Sequence, residues 1–76
     1  MNKERRKSLK EIQNELEILA QNLEDLKEEE EEYRDNMPEN LQESERYQRA
    51  EEVCDLLQSA LDNLEEASQN IEEAAE

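Results

Sequence analysis

Apolar residues recur along this chain at alternating spacings of three and four residues, in two stretches that lie on either side of a single proline. Spacing of this kind over about four heptads is typical of a coiled coil. The repeat positions of the first stretch are Leu9, Ile12, Leu16, Leu19, Leu23, Leu26, Glu30 and Tyr33. Those of the second stretch are Tyr47, Ala50, Cys54, Leu57, Leu61, Leu64, Ser68, Ile71 and Ala75.

The proline predicts where the two helices separate. Pro38 disfavours helical backbone at the residue before it, so the first helix should end near Asp35 or Asn36. The chain has no glycine, and we expect Asn36 to adopt the left-handed conformation that closes many helices. Ser44 is the expected N-cap of the second helix. The pattern predicts one all-α domain over residues 1–76, an antiparallel two-helix, coiled-coil-like hairpin with helix 3–35, loop 36–43 and helix 44–75.

Heptad layering predicts which residues of the two helices meet. Every large apolar repeat residue is expected to find a layer in the hairpin core. Glu30 falls opposite Ala50, and we expect Arg46 and Arg49 to neutralise it. The predicted layers pair Tyr33 with Tyr47, Leu26 with Cys54, Leu23 with Leu57, Leu19 with Leu61, Leu16 with Leu64, and Leu9 with Ile71.

Composition changes the picture only in part. Hydrophobic residues make up 33% of the chain, charged residues 43%, and the net charge is −15. Such values commonly indicate disorder, but the charged residues are good helix formers and the apolar ones are periodic. An antiparallel hairpin also brings a basic helix start beside an acidic helix end. The basic residues are Lys3, Arg5, Arg6, Lys7 and Lys10, and the acidic ones Glu65, Glu66, Glu72, Glu73 and Glu76.

A third row of residues predicts an oligomer. Val53, Ala60, Ala67 and Ala74 recur every seven residues beside the core positions of the second helix. Small residues there widen the apolar face and permit close approach of another helix. Because an isolated two-helix unit of this size is marginal, we expect two hairpins to form a homodimeric four-helix bundle with this row as the dimer flank.

Candidate chemistry is sparse. There is no histidine, which excludes imidazole catalysis, and no glycine for a phosphate-binding loop. The single cysteine, Cys54, is expected to be a small buried hydrophobic residue, with a reactive thiol or an intersubunit disulfide as the alternatives. The acidic run from Glu28 to Glu32 spreads around a helix and does not converge on one site. We therefore expect no enzymatic activity, no cofactor and no metal site.

The loop end is the predicted place for contact with another protein. Tyr33 and Tyr47 are the only aromatic residues and flank the loop, and Met37 and Leu41 are expected to fold over the end of the bundle. Aromatic residues commonly anchor interfaces, so these four are candidate contacts for an unidentified protein partner. Direct nucleic-acid binding is not expected for so acidic a chain. No apolar run is long enough for a signal peptide or a membrane span, which predicts a cytoplasmic protein without membrane contact.

The loop also provides a resemblance. The segment Asn36-Met37-Pro38-Glu39-Asn40-Leu41-Gln42, followed by Ser44-Glu45-Arg46 and an alanine-rich acidic arm, resembles a family of small acidic proteins of bacteria and their phages or mobile elements. The resemblance implies a helical hairpin and assigns no activity or site residues. Relatives frequently have glycine where this chain has Glu43.

Two classes of function are consistent with these patterns. The first is a non-catalytic structural or protein–protein interaction module that acts through its helical faces or its loop tip. The alternative is an acidic mimic or decoy of nucleic acid, whose carboxylates block a basic nucleic-acid-binding protein. High negative charge would speed association with such a target and make it sensitive to salt.

Overall fold

The computed structural model describes all 76 residues and consists of two long helices that lie side by side. Helix α1 spans Lys3–Asp35, a 3₁₀ turn spans Glu39–Leu41, and helix α2 spans Glu45–Ala74. The Cα trace measures 59 × 14 × 12 Å, and most of the tertiary packing is between α1 and α2. The predicted all-helical hairpin is confirmed.

Helix α1 ends without a left-handed residue. Asn36 has φ −86° and ψ 0°, and its backbone N–H donates to the carbonyl oxygen of Glu32 at 2.9 Å. No residue in the chain has a positive φ, so the expected left-handed Asn36 is wrong. The Met37 N–H also donates to the Arg34 carbonyl, at 3.2 Å, and Pro38 then continues in extended geometry. The last turn therefore tightens in right-handed geometry until proline stops it, and a glycine is not needed.

Helix α2 begins at the predicted cap. The Ser44 side-chain oxygen accepts a hydrogen bond from the Tyr47 N–H at 3.3 Å, and its hydroxyl donates to the Leu41 carbonyl. Ser44 therefore connects the 3₁₀ turn to the first turn of α2 and satisfies one of the free N–H groups of the helix. Of the two residues expected to fold over the bundle end, Met37 is 9% exposed while Leu41 remains 43% exposed.

The core of the hairpin is thin. Four residues are buried, and no large side chain is fully buried. Between the helices lie rows of half-buried leucines, which each helix contributes from its central repeat positions. A two-helix unit has only one interface, so each of these side chains keeps one side in water. The four buried residues are Met37, Ala50, Cys54 and Ala75.

Helix α1 is rotated relative to the predicted packing. Half of its repeat positions stay exposed, so the prediction that they fill the hairpin core is wrong. We name the half-buried repeat residues of α1 the central row: Leu9, Leu16, Leu23 and Glu30. The residues four positions after them are also half-buried and mostly polar, and they take the place of the exposed repeat residues beside α2. Hydrogen bonds from two of these polar residues to α2 favour this rotation. The exposed residues are Ile12 (45%), Leu19 (53%), Leu26 (54%) and Tyr33 (47%), and the half-buried ones are Gln13, Ala20, Lys27 and Arg34.

The predicted neutralisation of Glu30 is also wrong. Glu30 is half-buried, but it forms no ion pair with either arginine. Arg49 pairs with Glu52 on its own helix, at 3.2 Å, because a partner one turn away is within easy reach of a long side chain. The basic start of α1 likewise makes no ion pair with the acidic end of α2, since the four ion pairs in the structure lie elsewhere.

Candidate interaction surfaces

The two long sides of the hairpin differ in chemistry. We name the side on which Gln13 and Lys27 of α1 bond to α2 the polar flank. On this side Gln13 Nε2 lies 3.4 Å from both the carbonyl oxygen and the Oγ of Ser68. Lys27 Nζ donates to Gln58 Oε1 at 2.6 Å. The Gln13–Ser68 contact falls between the predicted Leu9–Ile71 and Leu16–Leu64 layers, which agrees with the predicted register.

Lys27 forms two ion pairs on the polar flank. Its side chain is 16% exposed, and its Nζ lies 3.6 Å from Glu24 Oε1 and 3.5 Å from Glu31 Oε1. Partial burial alone would lower the pKa of Lys27, but the two carboxylates outweigh it and raise the pKa above its ordinary value. The lysine therefore stays charged and tethers α1 to α2 through Gln58.

A long open groove runs along the polar flank and is acidic. Residues of both helices line it, and five of them are carboxylates while none is a lysine or arginine. The acidic residues spread over the two walls, so the groove presents negative charge along its length. They are Glu17, Glu24, Asp62, Glu65 and Glu72.

The opposite side is the apolar flank, and helical geometry fixes which residues lie on it. On α1, Leu19 follows Leu16 by three residues and Ala20 follows it by four, so the two lie on opposite sides of Leu16. Ala20 lines the groove, and Leu19 therefore faces away from it. We name the exposed repeat residues of this helix the α1 row: Ile12, Leu19, Leu26 and Tyr33.

Helix α2 contributes small residues to the same flank. Ala60 and Glu65 lie on opposite sides of Leu61, and Glu65 lines the groove. Ala60 therefore belongs to the apolar flank together with the rest of the predicted dimer row. Three members of this α2 row are half-buried and the last is exposed. The α2 row consists of Val53, Ala60, Ala67 and Ala74.

Leu56 also belongs to this surface, although the heptad repeat does not predict it. It is 57% exposed and lies outside the heptad repeat. Its position three residues after Val53 and four before Ala60 was the available signal, because such residues are neighbours on a helix surface. Leu56 therefore extends the apolar flank on the outer side of the α2 row.

The two rows lie level with each other. Gln13 is bonded to Ser68, and Ile12 and Ala67 are the residues immediately before them in the two helices. Because the helices are antiparallel and both rows repeat every seven residues, three members of each row pair in order, while Tyr33 and Ala74 lie beyond the paired levels. Each paired residue of the α1 row therefore has a smaller residue of the α2 row beside it. After Ile12 and Ala67 come Leu19 and Ala60, then Leu26 and Val53.

The loop tip brings three of its four predicted contact residues together. Tyr33, Met37 and Leu41 line an open hollow of about 680 Å³, with Arg46 on its wall. Tyr33 and Leu41 are exposed, whereas Met37 is only 9% exposed. Tyr47 is half-buried and does not line it. A role for these residues in binding a protein stays a prediction.

Cys54 is a free, buried cysteine. It is 6% exposed, and burial raises the pKa of its thiol, while the nearby charge of Arg34 opposes that rise. A thiol in this setting is a weak nucleophile at neutral pH. No group of three or more cysteine or acidic side chains converges closely enough to hold a metal ion.

Neither helix is apolar enough over a sufficient length to cross a membrane. No family model matches the chain, and neither curated proteins nor solved structures include one that is significantly similar to it. The resemblance to small acidic hairpin proteins of bacteria and their phages therefore stays a prediction, and function has to be inferred from the surfaces themselves.

Proposed function

We propose that this protein is a non-catalytic protein–protein interaction module whose apolar flank is covered by a second copy of the chain, so that two hairpins form a four-helix bundle. The observation on which the proposal rests is the α1 row. Four large side chains at seven-residue intervals are each about half exposed on one side of the hairpin. Scattered apolar residues on a surface need no explanation, whereas a continuous row of them marks an interaction site.

The thin core supports the same proposal. A chain of this size with one helix–helix interface gains about 3–5 kcal/mol from its core at best. Four buried residues, of which two are alanines, place this hairpin at the lower end of that range. Dimerisation would turn the half-exposed rows into a second interface, as in other bundles made from hairpins.

Sedimentation equilibrium of the intact chain tests the proposal, because a four-helix bundle predicts a dimer at micromolar concentration. The sharpest variant is Leu19→Glu. Full burial of a leucine contributes about 1.5–3 kcal/mol, and Leu19 is 53% exposed in the hairpin, so dimerisation gains about half of that for each copy. Its loss from both copies should weaken dimerisation at least ~10-fold.

The matched control is Ile18→Glu. Ile18 is 63% exposed and Leu19 is 53% exposed, and both substitutions introduce the same charge. Successive helical residues differ by about 100° in direction, and Ile18 lies on the outer face of α1, away from α2. Ile18→Glu should leave the dimer intact. A wild-type monomer, or equal effects of the two substitutions, would contradict the proposal.

The loop tip is the candidate site for a further protein partner. Tyr33 and Leu41 are exposed beside a hollow that contains Arg46, and an aromatic residue beside a cation is a common binding anchor. Binding there should tolerate salt and be lost in Leu41→Asp, which lies outside the α1 and α2 rows. A partner captured equally well by the wild type and Leu41→Asp would exclude the tip.

The acidic groove favours the alternative, an acidic mimic that occupies a basic nucleic-acid-binding protein. Five carboxylates without a cation line the groove, and exposed charge of one sign promotes fast, salt-sensitive association. This function predicts competition with DNA for a basic protein, lost in Glu17→Gln/Glu24→Gln/Glu65→Gln. Competition that persists in this variant or in high salt would exclude the groove as a mimic.

A further inference from the structure

We infer that the second copy packs with its loop at the same end as the first, so that the α1 row of each copy lies on the α2 row of the other. This inference rests on the proposed dimer and adds its orientation. Two apolar flanks can face each other in two symmetric ways. A two-fold axis parallel to the helices places α1 over the partner's α2, and an axis perpendicular to them places α1 over the partner's α1.

The sizes of the side chains favour the parallel axis. An axis along the helices leaves levels unchanged, so Leu19 of one copy meets Ala60 of the other, and Ile12 meets Ala67. Large residues then face small ones at successive levels, which lets facing layers interdigitate. The perpendicular axis would set Leu19 against Leu19 and Ala60 against Ala60. In that arrangement the large side chains would hold the two α1 helices apart, whereas the two α2 helices would have to approach closely for their small side chains to touch.

The charges at the open end agree with this orientation. The basic start of α1 forms no ion pair within its own hairpin. With loops at the same end, it lies over the acidic end of the partner's α2, from Glu65 to Glu73. The perpendicular axis would place the basic start of α1 over the acidic run at the end of the partner's α1. It would also place the acidic end of α2 over the start of the partner's α2, whose charges are mixed and form no basic cluster: Glu45, Arg46, Arg49, Glu51 and Glu52.

The rim of the flank is complementary as well. Glu29 borders the α1 row, and Arg49 borders the α2 row at nearly the same level. Arg49 forms one ion pair, with Glu52 of its own helix, and both side chains are more than half exposed, so the guanidinium can also reach across the interface. In the parallel-axis dimer the Arg49 side chain of one copy approaches Glu29 of the other at both edges of the interface.

The available area is sufficient for a stable dimer. A face of 59 × 14 Å covers on the order of 800 Å² per copy, which is the usual size of a specific interface. The arrangement also sets the two loop tips side by side, with Tyr33 and Leu41 of both copies at one end. The dimer would then present one composite, two-fold symmetric tip to a partner.

Electron–electron spin distances in the intact chain test the orientation. The label is attached to Glu39→Cys in a Cys54→Ala background, because Glu39 is exposed at the loop tip. Loops at the same end predict a distance below about 30 Å, since neighbouring helices in a bundle are about 10 Å apart. Loops at opposite ends predict about 60 Å, given a rise of 1.5 Å per residue from the bundle centre.

A second label at Glu76→Cys, at the open end, provides an independent measurement and should also give a short distance. Helical content from circular dichroism and the sedimentation mass of each labelled variant verify that it is folded and dimeric. A dimer with distances near 60 Å at both sites would overturn the orientation and leave the proposed function standing. A folded, monomeric wild-type chain, together with labelled variants that show no dipolar coupling, would overturn both.

Discussion

The polar and apolar flanks of the hairpin are built from the same two helices, but their side chains differ in whether they find partners within the chain. On the polar flank, Gln13 and Lys27 find partners on α2 within the same chain. On the apolar flank, Leu19 and Leu26 remain more than half exposed. The hairpin therefore completes one of its sides by itself and leaves the other without a partner.

This difference shows that the heptad repeat of α1 contains more apolar residues than the single helix–helix interface of a hairpin can bury. Each helix of a two-stranded coiled coil buries one narrow seam. The apolar positions of α1 span both the central row and the α1 row, which is a wider face than one neighbouring helix covers. A wider face is typical of a helix with two neighbours, as in a four-helix bundle.

Alanine substitution on each flank gives the largest expected contrast. Leu19→Ala/Leu26→Ala should lower the free energy of unfolding by about 4 kcal/mol per chain, because each leucine loses about 2 kcal/mol of buried contact in the dimer. Gln13→Ala/Lys27→Ala should lower it by about 1–2 kcal/mol, the sum of two partly exposed polar contacts. Urea denaturation at one protein concentration measures both. Changes below about 0.5 kcal/mol for the leucine pair would mean that the apolar flank faces only water.

Protein concentration sharpens the same contrast without altering the interface. If unfolding separates two chains, a tenfold increase in concentration stabilises the folded state by about 1.4 kcal/mol. The urea midpoint of the wild type and of Ile18→Glu should therefore rise with concentration. A wild-type midpoint that is constant over two decades would exclude a coupled dimer.

Lys27→Met should produce a smaller change on the polar flank. Methionine keeps most of the volume and apolar stem of the lysine, while the ion pairs with Glu24 and Glu31 are lost. Partly exposed pairs contribute about 0–1 kcal/mol, and a removed charge no longer has to be desolvated. We expect thermal unfolding to show a net change of at most about 1 kcal/mol. A loss above about 2 kcal/mol would show that Lys27 is essential for joining the helices.

The sequence predicted those features that depend on local chemistry. Helix α1 spans Lys3–Asp35, the same residues as the predicted first helix, because an apolar periodicity and one proline determine where it can extend. The Ser44 cap depends on a single side chain at the start of a helix, and it too was predicted. The left-handed Asn36 was not found, since a right-handed 3₁₀ turn ends the helix equally well.

The sequence could not predict the rotation of α1 about its axis. Heptad spacing alone does not distinguish a seam through Leu16 and Leu19 from one through Leu16 and Ala20, since both have a repeat of seven. The choice depends on long polar side chains such as Lys27, whose aliphatic stem packs between helices while its charged end reaches Gln58. Leu56 was missed for a related reason, because its partners are surface neighbours and not members of the repeat.

The smallest expected effect concerns the thiol of Cys54, which is buried in the first half of α2. Burial raises its pKa above the ordinary value of 9.0, and Arg34 opposes the rise. An unfolded chain then loses the thiol proton at lower pH than the folded chain does. The contribution of the protonated thiol to stability is complete below about pH 9 and decreases as the pH rises toward the folded pKa.

Urea denaturation between pH 8 and 10 should therefore show a loss of stability in the wild type that is shallower in Cys54→Ala. The slope with pH is the quantity to compare, because the smaller side chain lowers stability equally at every pH. Lys27, whose pKa is also raised, loses its contribution only at higher pH, as the pH passes through its folded pKa. Lys27→Met should accordingly keep the wild-type slope in this range. Identical slopes for the wild type and Cys54→Ala would show that the thiol is as well solvated in the folded chain as in the unfolded one, and that the packing between α1 and α2 near the loop is open to water.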